Sequence, residues 1–323
     1  MGAAITLQVV QNCAGVIGVL GNTLVCIVIC RVQSMHTLTN GLILNQAAID
    51  LLGSLVTLIS ANVGKLDPVP DGPTGELYCR LWFSKFLNWA FFAASTFSLT
   101  ALTLERYLAI LFPFTYQTRF TRRAAILVVI AVWLTGCACS AYNIAIKRFN
   151  GIGSCESVNV GGSQLVGVLL FCFEYLIPVT VMLYAYIHII VVLKRKARRV
   201  GVMGGNGTGS SAERQAAGRG EGQAESLVRA RKNVLKTLFI VFCSFVVCWT
   251  PNKIIFFMFN FGWPLDFQGA LYVISVALVV SNSAVNPIIY ALKYRQFRHG
   301  VLYMFGVRSN ADEVVLGMSS TQG

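Results

Sequence analysis

Acidic residues are scarce: 13 Asp+Glu stand against 26 Lys+Arg in 323 residues, and all charged types together make up only 12% of the chain. A soluble domain carries about twice that share. With 55% hydrophobic residues and a mean hydropathy of +0.66, the chain lacks the polar surface that a water-soluble fold of this size needs, and the same composition excludes disorder. Histidine is scarcer still. The three present, His36, His188 and His299, are dispersed and no Cys-x-x-Cys pair accompanies them, so a zinc site of ordinary spacing is excluded. His-Glu-x-x-His, Gly-x-Ser-x-Gly and paired inward carboxylates are also missing, which argues against an intramembrane enzyme. The net charge of +13 would favour nucleic acid in a soluble chain. Here the basic residues lie in short runs between long apolar stretches, read as membrane-flanking charges, and no nucleic-acid partner is expected.

What the sequence does have is apolar length. A hydrocarbon core of about 30 Å takes about 20 apolar residues to cross as a helix. Seven stretches qualify, near 5–30, 38–63, 83–111, 124–146, 164–193, 235–261 and 267–292. No strand alternation is evident, and helices satisfy their backbone groups internally, so the expected fold is all-α, a seven-transmembrane helix bundle forming one domain over 1–323. Gly, Ser, Ala and Gln dominate about 201–222, which reads as a disordered loop between helical extensions of spans 5 and 6, and a tail follows from about 300. With the amino terminus outside, the inner side collects twenty of the Lys and Arg residues against six on the other. That asymmetry predicts an extracellular amino terminus and a cytoplasmic carboxyl terminus in the plasma membrane.

Eight of the ten cysteines fall within apolar spans, where thiols behave as small hydrophobes. Cys79 and Cys155 do not; both fall on the oxidising face, where they either bridge, tying a loop across the mouth of the bundle, or sit there by chance.

Polar groups inside lipid are costly and therefore informative. Asp50 lies in span 2, with Asn22, Ser95, Asn282 and Asn286 at similar depth. One carboxylate among oxygen-bearing neighbours suits a hard cation such as sodium; the same groups also suit mutual hydrogen bonding between helices. Glu105-Arg106-Tyr107 ends span 3, where the arginine either snorkels to headgroups or is held by the adjacent carboxylate as a releasable charge. Pro178, Pro251 in Cys248-Trp249-Thr250-Pro251, and Pro287 in Asn286-Pro287-Ile288-Ile289-Tyr290 each remove a backbone donor from a span and predict a kink. Hinged spans could relay an outside event inward.

Taken in order, these residues resemble the rhodopsin-like G-protein-coupled receptors, orphan or neuropeptide-receptor-like. The resemblance runs from Gly21-Asn22 through Asp50, Glu105-Arg106-Tyr107, Trp133, Pro178 with Tyr186, and Phe245 with the Trp249 motif, to Asn286 through Tyr290. Phe297, beyond Lys293, fits a short amphipathic helix after span 7. The resemblance implies a receptor, not an enzyme, that binds an extracellular ligand and activates a heterotrimeric G protein, with arrestin, receptor kinases and membrane lipid as further partners. It implies that Arg106 contacts the G protein while Tyr186 and Tyr290 rearrange, that Trp249 acts as a toggle beneath the pocket, that Asp50, Ser95, Asn282 and Asn286 hold a sodium ion, the one expected cofactor, and that Cys79 and Cys155 form the family disulfide.

Three positions depart from that pattern. Arg106 lies 27 residues after Cys79, two more than usual, so the start of span 3 should be altered. Arg231 stands where many relatives carry an acidic partner for the span-3 arginine, which predicts a missing lock and raised basal activity. No cysteine follows Cys248, so the common palmitoylated tail anchor is absent from this sequence.

Asn88 occupies the position where amine receptors place an aspartate, which weakens an amine reading, and span 7 offers no lysine for retinal. Candidate pocket residues are Lys85, Asn88, Trp89, Glu174, Asn252, Lys253, Phe256 and Tyr272. Glu174 and Lys253 face each other across spans 5 and 6 and are read as a pair that a ligand bearing both charges, such as a peptide, must open; the alternatives are a purely structural pair or a lysine that snorkels upward. The competing class is a seven-span scaffold or transporter without exchange activity; no inverted repeat supports a transporter.

Overall fold

The computed structural model describes residues 2–158, 161–203, 211–266 and 268–306, without the side chains of 3, 196–203 and 211–233. Seven helices among these are long and apolar enough to cross a membrane. α1 (Gly2–Arg31) and α2 (Leu38–Asn62) are joined by a tight turn, and Thr37 caps α2 by accepting the Asn40 N–H at 3.2 Å. α3 (Pro73–Leu77) runs through a π turn (Tyr78–Phe83) into α4 (Phe86–Leu111). Next come the short α5 (Pro113–Arg119), led by proline at its first position, and α6 (Arg122–Ala145), capped by Thr121. A small antiparallel hairpin, β1 (Lys147–Phe149) with β2 (Cys155–Ser157), precedes α7 (Ser163–Phe171). A second π turn (Cys172–Leu176) leads into α8 (Ile177–Met203); α9 (Ser211–Asn260), α10 (Ala270–Lys293) and α11 (Arg295–Met304) are the last elements among the described residues. Of the loop expected over about 201–222, residues 204–210 lie outside the described ones, with helix on either side; most of the tail, 307–323, lies outside as well.

Span 3 is the main correction to the sequence reading: its helix starts at Pro73, ten residues before the apolar run. The extension is polar, with Glu76 and Arg80 paired one turn apart at 2.5 Å, so hydropathy alone misses it. The extra residues between Cys79 and Arg106 are absorbed by the π turn and by Lys85, whose φ of 56° is left-handed.

The prolines act differently from one another. Pro178 deprives the Glu174 carbonyl of its helical donor, and the π turn falls there. Pro287 does the same to the Ser283 carbonyl, which instead accepts the Asn22 side-chain amide at 2.9 Å. That bond fastens α1 to α10, and the approach is close: a Cβ on Gly21 would lie 2.7 Å from the Pro287 ring. α9 continues as helix through Pro251. α4 holds the centre, touching α2, α6 and α8. Asn45 links three of these helices, donating to Ser98 at 3.1 Å and accepting from the Trp133 indole at 2.9 Å.

Candidate functional site

The functional residues fall into three levels along the bundle. At one end Cys79 and Cys155 form a disulfide that joins the span-3 extension to the hairpin. Glu76 reinforces it by accepting the Phe149 N–H at 2.8 Å. Next to this end lies a cavity of about 260 Å³. Six of the eight candidate pocket residues line it: Lys85, Asn88, Trp89, Asn252, Phe256 and Tyr272. Apart from Lys85 its walls are uncharged, and no Asp or Glu is among the lining residues. Asn88 donates to Thr57 at 3.2 Å and Asn252 to Ser275 at 3.4 Å, so both amides are braced from neighbouring helices.

Glu174 and Lys253 are not part of that lining. They pair at 2.7 Å, with side chains only 14% and 8% exposed, and the Lys253 ammonium lies 5.4 Å from the Trp249 ring centroid. The pair couples α9 to the π turn before α8. Trp249 packs edge-on against Phe92 at 5.6 Å, and Phe92 is itself a cavity wall. Phe245 follows below at 6.0 Å. The Trp249 indole N–H is buried without a hydrogen-bond partner.

At the middle level Asp50 is 1% exposed. Its Oδ1 accepts the Ser95 hydroxyl at 2.9 Å, and its Oδ2 accepts the Asn286 amide at 2.7 Å and the Gln46 amide at 3.1 Å. Gln46 also donates to Ser95 at 2.6 Å. Ser283 also bonds the carboxylate through its side chain, whereas among the described residues Asn282 makes no bond to Asp50; it sits one turn from Asn286, about 6 Å along the axis. Because two amides present N–H to the carboxylate where a sodium ion needs oxygen, the residues as arranged do not fit that ion.

The third level is the Glu105-Arg106-Tyr107 end of α4. Arg106 is bound to Glu105 and to Thr39. Glu105 further accepts the Thr39 hydroxyl at 3.0 Å and the Tyr116 hydroxyl, from α5, at 2.5 Å. Burial and that bond push the Tyr116 hydroxyl up to about 12. Tyr107 pairs with His188 at 2.9 Å and Tyr186 with Thr103 at 3.3 Å. The Tyr290 hydroxyl is buried and unpartnered. Arg106 is thus tied to Thr39 of α2, while Tyr116 of α5 reaches the level through Glu105, and the side chain of Arg231 lies outside the described residues. Sequence reasoning missed Thr39, Tyr116, Thr103, His188, Gln46 and Ser283. Only Gln46 left a trace there, one helical turn before Asp50 and therefore on its face.

The description "7 transmembrane receptor (rhodopsin family)" matches residues 21–290. The chain is 30% identical to the mouse neuromedin-U receptor 2, over 91% of this chain and 74% of that protein. It is also 30% identical to the mouse trace amine-associated receptor 9, over 97% and 88%, and to the human galanin receptor type 2, over 88% and 68%.

Proposed function

Because the chain belongs to the rhodopsin family of seven-transmembrane receptors, whose members bind extracellular ligands and activate G proteins, we propose a division of labour among its three levels. The ligand enters the cavity beside the disulfide, Trp249 senses it, and Arg106 with Glu105 is the element that the G protein reads. The observation that carries this is contact between levels: Phe92 is at once a cavity wall and the edge-on neighbour of Trp249. A ligand that displaces Phe92 moves Trp249, which stands two residues before Pro251, where α9 lacks a backbone donor.

The unpartnered Trp249 and Tyr290 polar groups favour a second arrangement. A buried unsatisfied donor costs about 1–3 kcal/mol, so a state that pairs either one is brought closer in energy. Tyr186 and Tyr290, with Phe245 and Pro287, would rearrange on that change. The amino terminus and the cavity face outwards; the Arg106 end faces the cytosol, where arrestin, receptor kinases and acidic lipid meet the basic flanks. The chain acts as a receptor and not as an enzyme. A lining with one lysine and no carboxylate favours a neutral or anionic ligand, such as a peptide carboxylate, over an amine.

The test is nucleotide exchange by purified G proteins with the receptor in lipid nanodiscs. Arg106→Ala should lower agonist-driven exchange at least tenfold. Equal exchange by the native protein and the variant would favour the scaffold reading.

A further inference from the structure

We infer that the Asp50 site carries its own occupant, the Gln46 amide, which keeps sodium out. The two hydrogens of Gln46 Nε2 point to Asp50 Oδ2 at 3.1 Å and to Ser95 Oγ at 2.6 Å, filling the space between the two groups that a cation would bridge. The orientation of the amide follows from proton counting. Ser95 has one hydroxyl proton and gives it to Asp50 Oδ1, so its oxygen can only accept from Gln46. Rotating the amide by half a turn would set Oε1 against Oδ2, acceptor against acceptor with no proton between. The cost of the observed orientation is visible: Gln46 Oε1 is buried without a partner, on a residue only 1% exposed. The chain tolerates that orphan to keep the amino group on the carboxylate.

Asp50 is held by Ser95, Gln46 and Asn286, with a side-chain bond from Ser283 besides, and the Ser95 oxygen that faces the space between the two groups already accepts from Gln46. A hard cation binds through oxygen ligands alone. It would have to break both Gln46 bonds to reach Asp50 Oδ2 and Ser95 Oγ together. The positive end of a permanent dipole therefore does here what an exchangeable ion would otherwise do, and salt cannot release it. This inference does not depend on the ligand, and it survives if the G-protein reading fails.

The experiment is thermal unfolding of the purified full chain in nanodiscs, in sodium chloride and in choline chloride of equal ionic strength. The native protein should unfold at the same temperature in both. Gln46→Ala, which opens the space, and Gln46→Leu, which removes the donor at similar volume, should each gain a sodium-dependent rise. That rise should be about 3 °C at a concentration ten times the new dissociation constant. Adding Asp50→Asn should abolish the gain. A sodium-dependent rise in the native protein overturns the inference, and so does the absence of any rise in both Gln46 variants.

Discussion

Removing the Tyr116 hydroxyl should release the Arg106 level without touching Arg106. Glu105 is 1% exposed and relies on protein donors in place of water: Arg106, Thr39 and Tyr116. A hydrogen bond to a charged group contributes about 1.5–3 kcal/mol net. Tyr116 is only half-buried, so the lower figure applies, and about 1.5 kcal/mol corresponds to about a tenfold change in an equilibrium. The loss falls on the arrangement in which Glu105 is enclosed, and spares any arrangement in which water reaches it. If the receptor rests at about 99:1 in favour of enclosure, Tyr116→Phe moves it to about 90:10. Ligand-free nucleotide exchange, normalised to folded receptor, should rise correspondingly, by close to an order of magnitude. Unchanged or reduced basal exchange in a well-folded Tyr116→Phe protein would refute the reasoning, because the bond would then not favour the resting form. The latch is also insensitive to ordinary pH. With the Tyr116 hydroxyl raised to about 12, the stability it adds is complete below the unfolded value of about 10 and is lost only as pH climbs towards 12. The ratio of basal exchange between the variant and the native protein should therefore be flat from pH 6.5 to about 9.

Other consequences follow from the packing. Lys253→Met leaves Glu174 buried and unpaired and should cost about 3–5 kcal/mol, read as a fall in unfolding temperature, whereas Lys253→Met with Glu174→Met should recover most of the loss. If the pair only couples helices, the double variant keeps its ligand response; if it recognises ligand, the response disappears although stability returns. Cys155→Ser opens a bridge spanning 76 residues, worth at most about 4.5 kcal/mol by loop entropy and less because the flanking spans are already anchored in lipid. Its unfolding temperature should fall, and ligand affinity should weaken more than basal exchange changes. Gly136→Val should destabilise by about 1–3 kcal/mol or more, since even a Cβ there would lie 2.7 Å from the Ala90 carbonyl oxygen; a melting temperature unchanged from the native protein would show that α4 and α6 can separate.

Much of this architecture is legible in the residues because lipid imposes strict rules. Every span had to be long and apolar, so all seven announce themselves; Asp50 and Arg106 stand out because charge inside a span is rare. The start of span 3 was hidden because Glu76 and Arg80 make its first turns look like loop, although their spacing of four is a helical pairing. The partners of Glu105 were hidden for a different reason. Thr39 opens α2 and Tyr116 sits in α5, and nothing local to either residue says that α4 presents a carboxylate to both. The pairing of Lys253 with Glu174 is legible from their places on spans 6 and 5, whereas its contact with the Trp249 ring is tertiary and beyond the reach of helical periodicity. Gln46 differs again, since its spacing to Asp50 was readable and its chemistry was not: whether an amide gives N–H or oxygen to a carboxylate site is settled only by where the neighbouring proton goes.

The bond from Asn22 to the carbonyl freed by Pro287 makes α1 a detent on α10. The last span cannot bend at its proline without either dragging the first span along or letting go of it. A bond midway along α1 thereby sets how stiffly the bundle resists being opened. Shortening Asn22 to alanine would loosen that catch while leaving the ends of the molecule, where both partners bind, untouched.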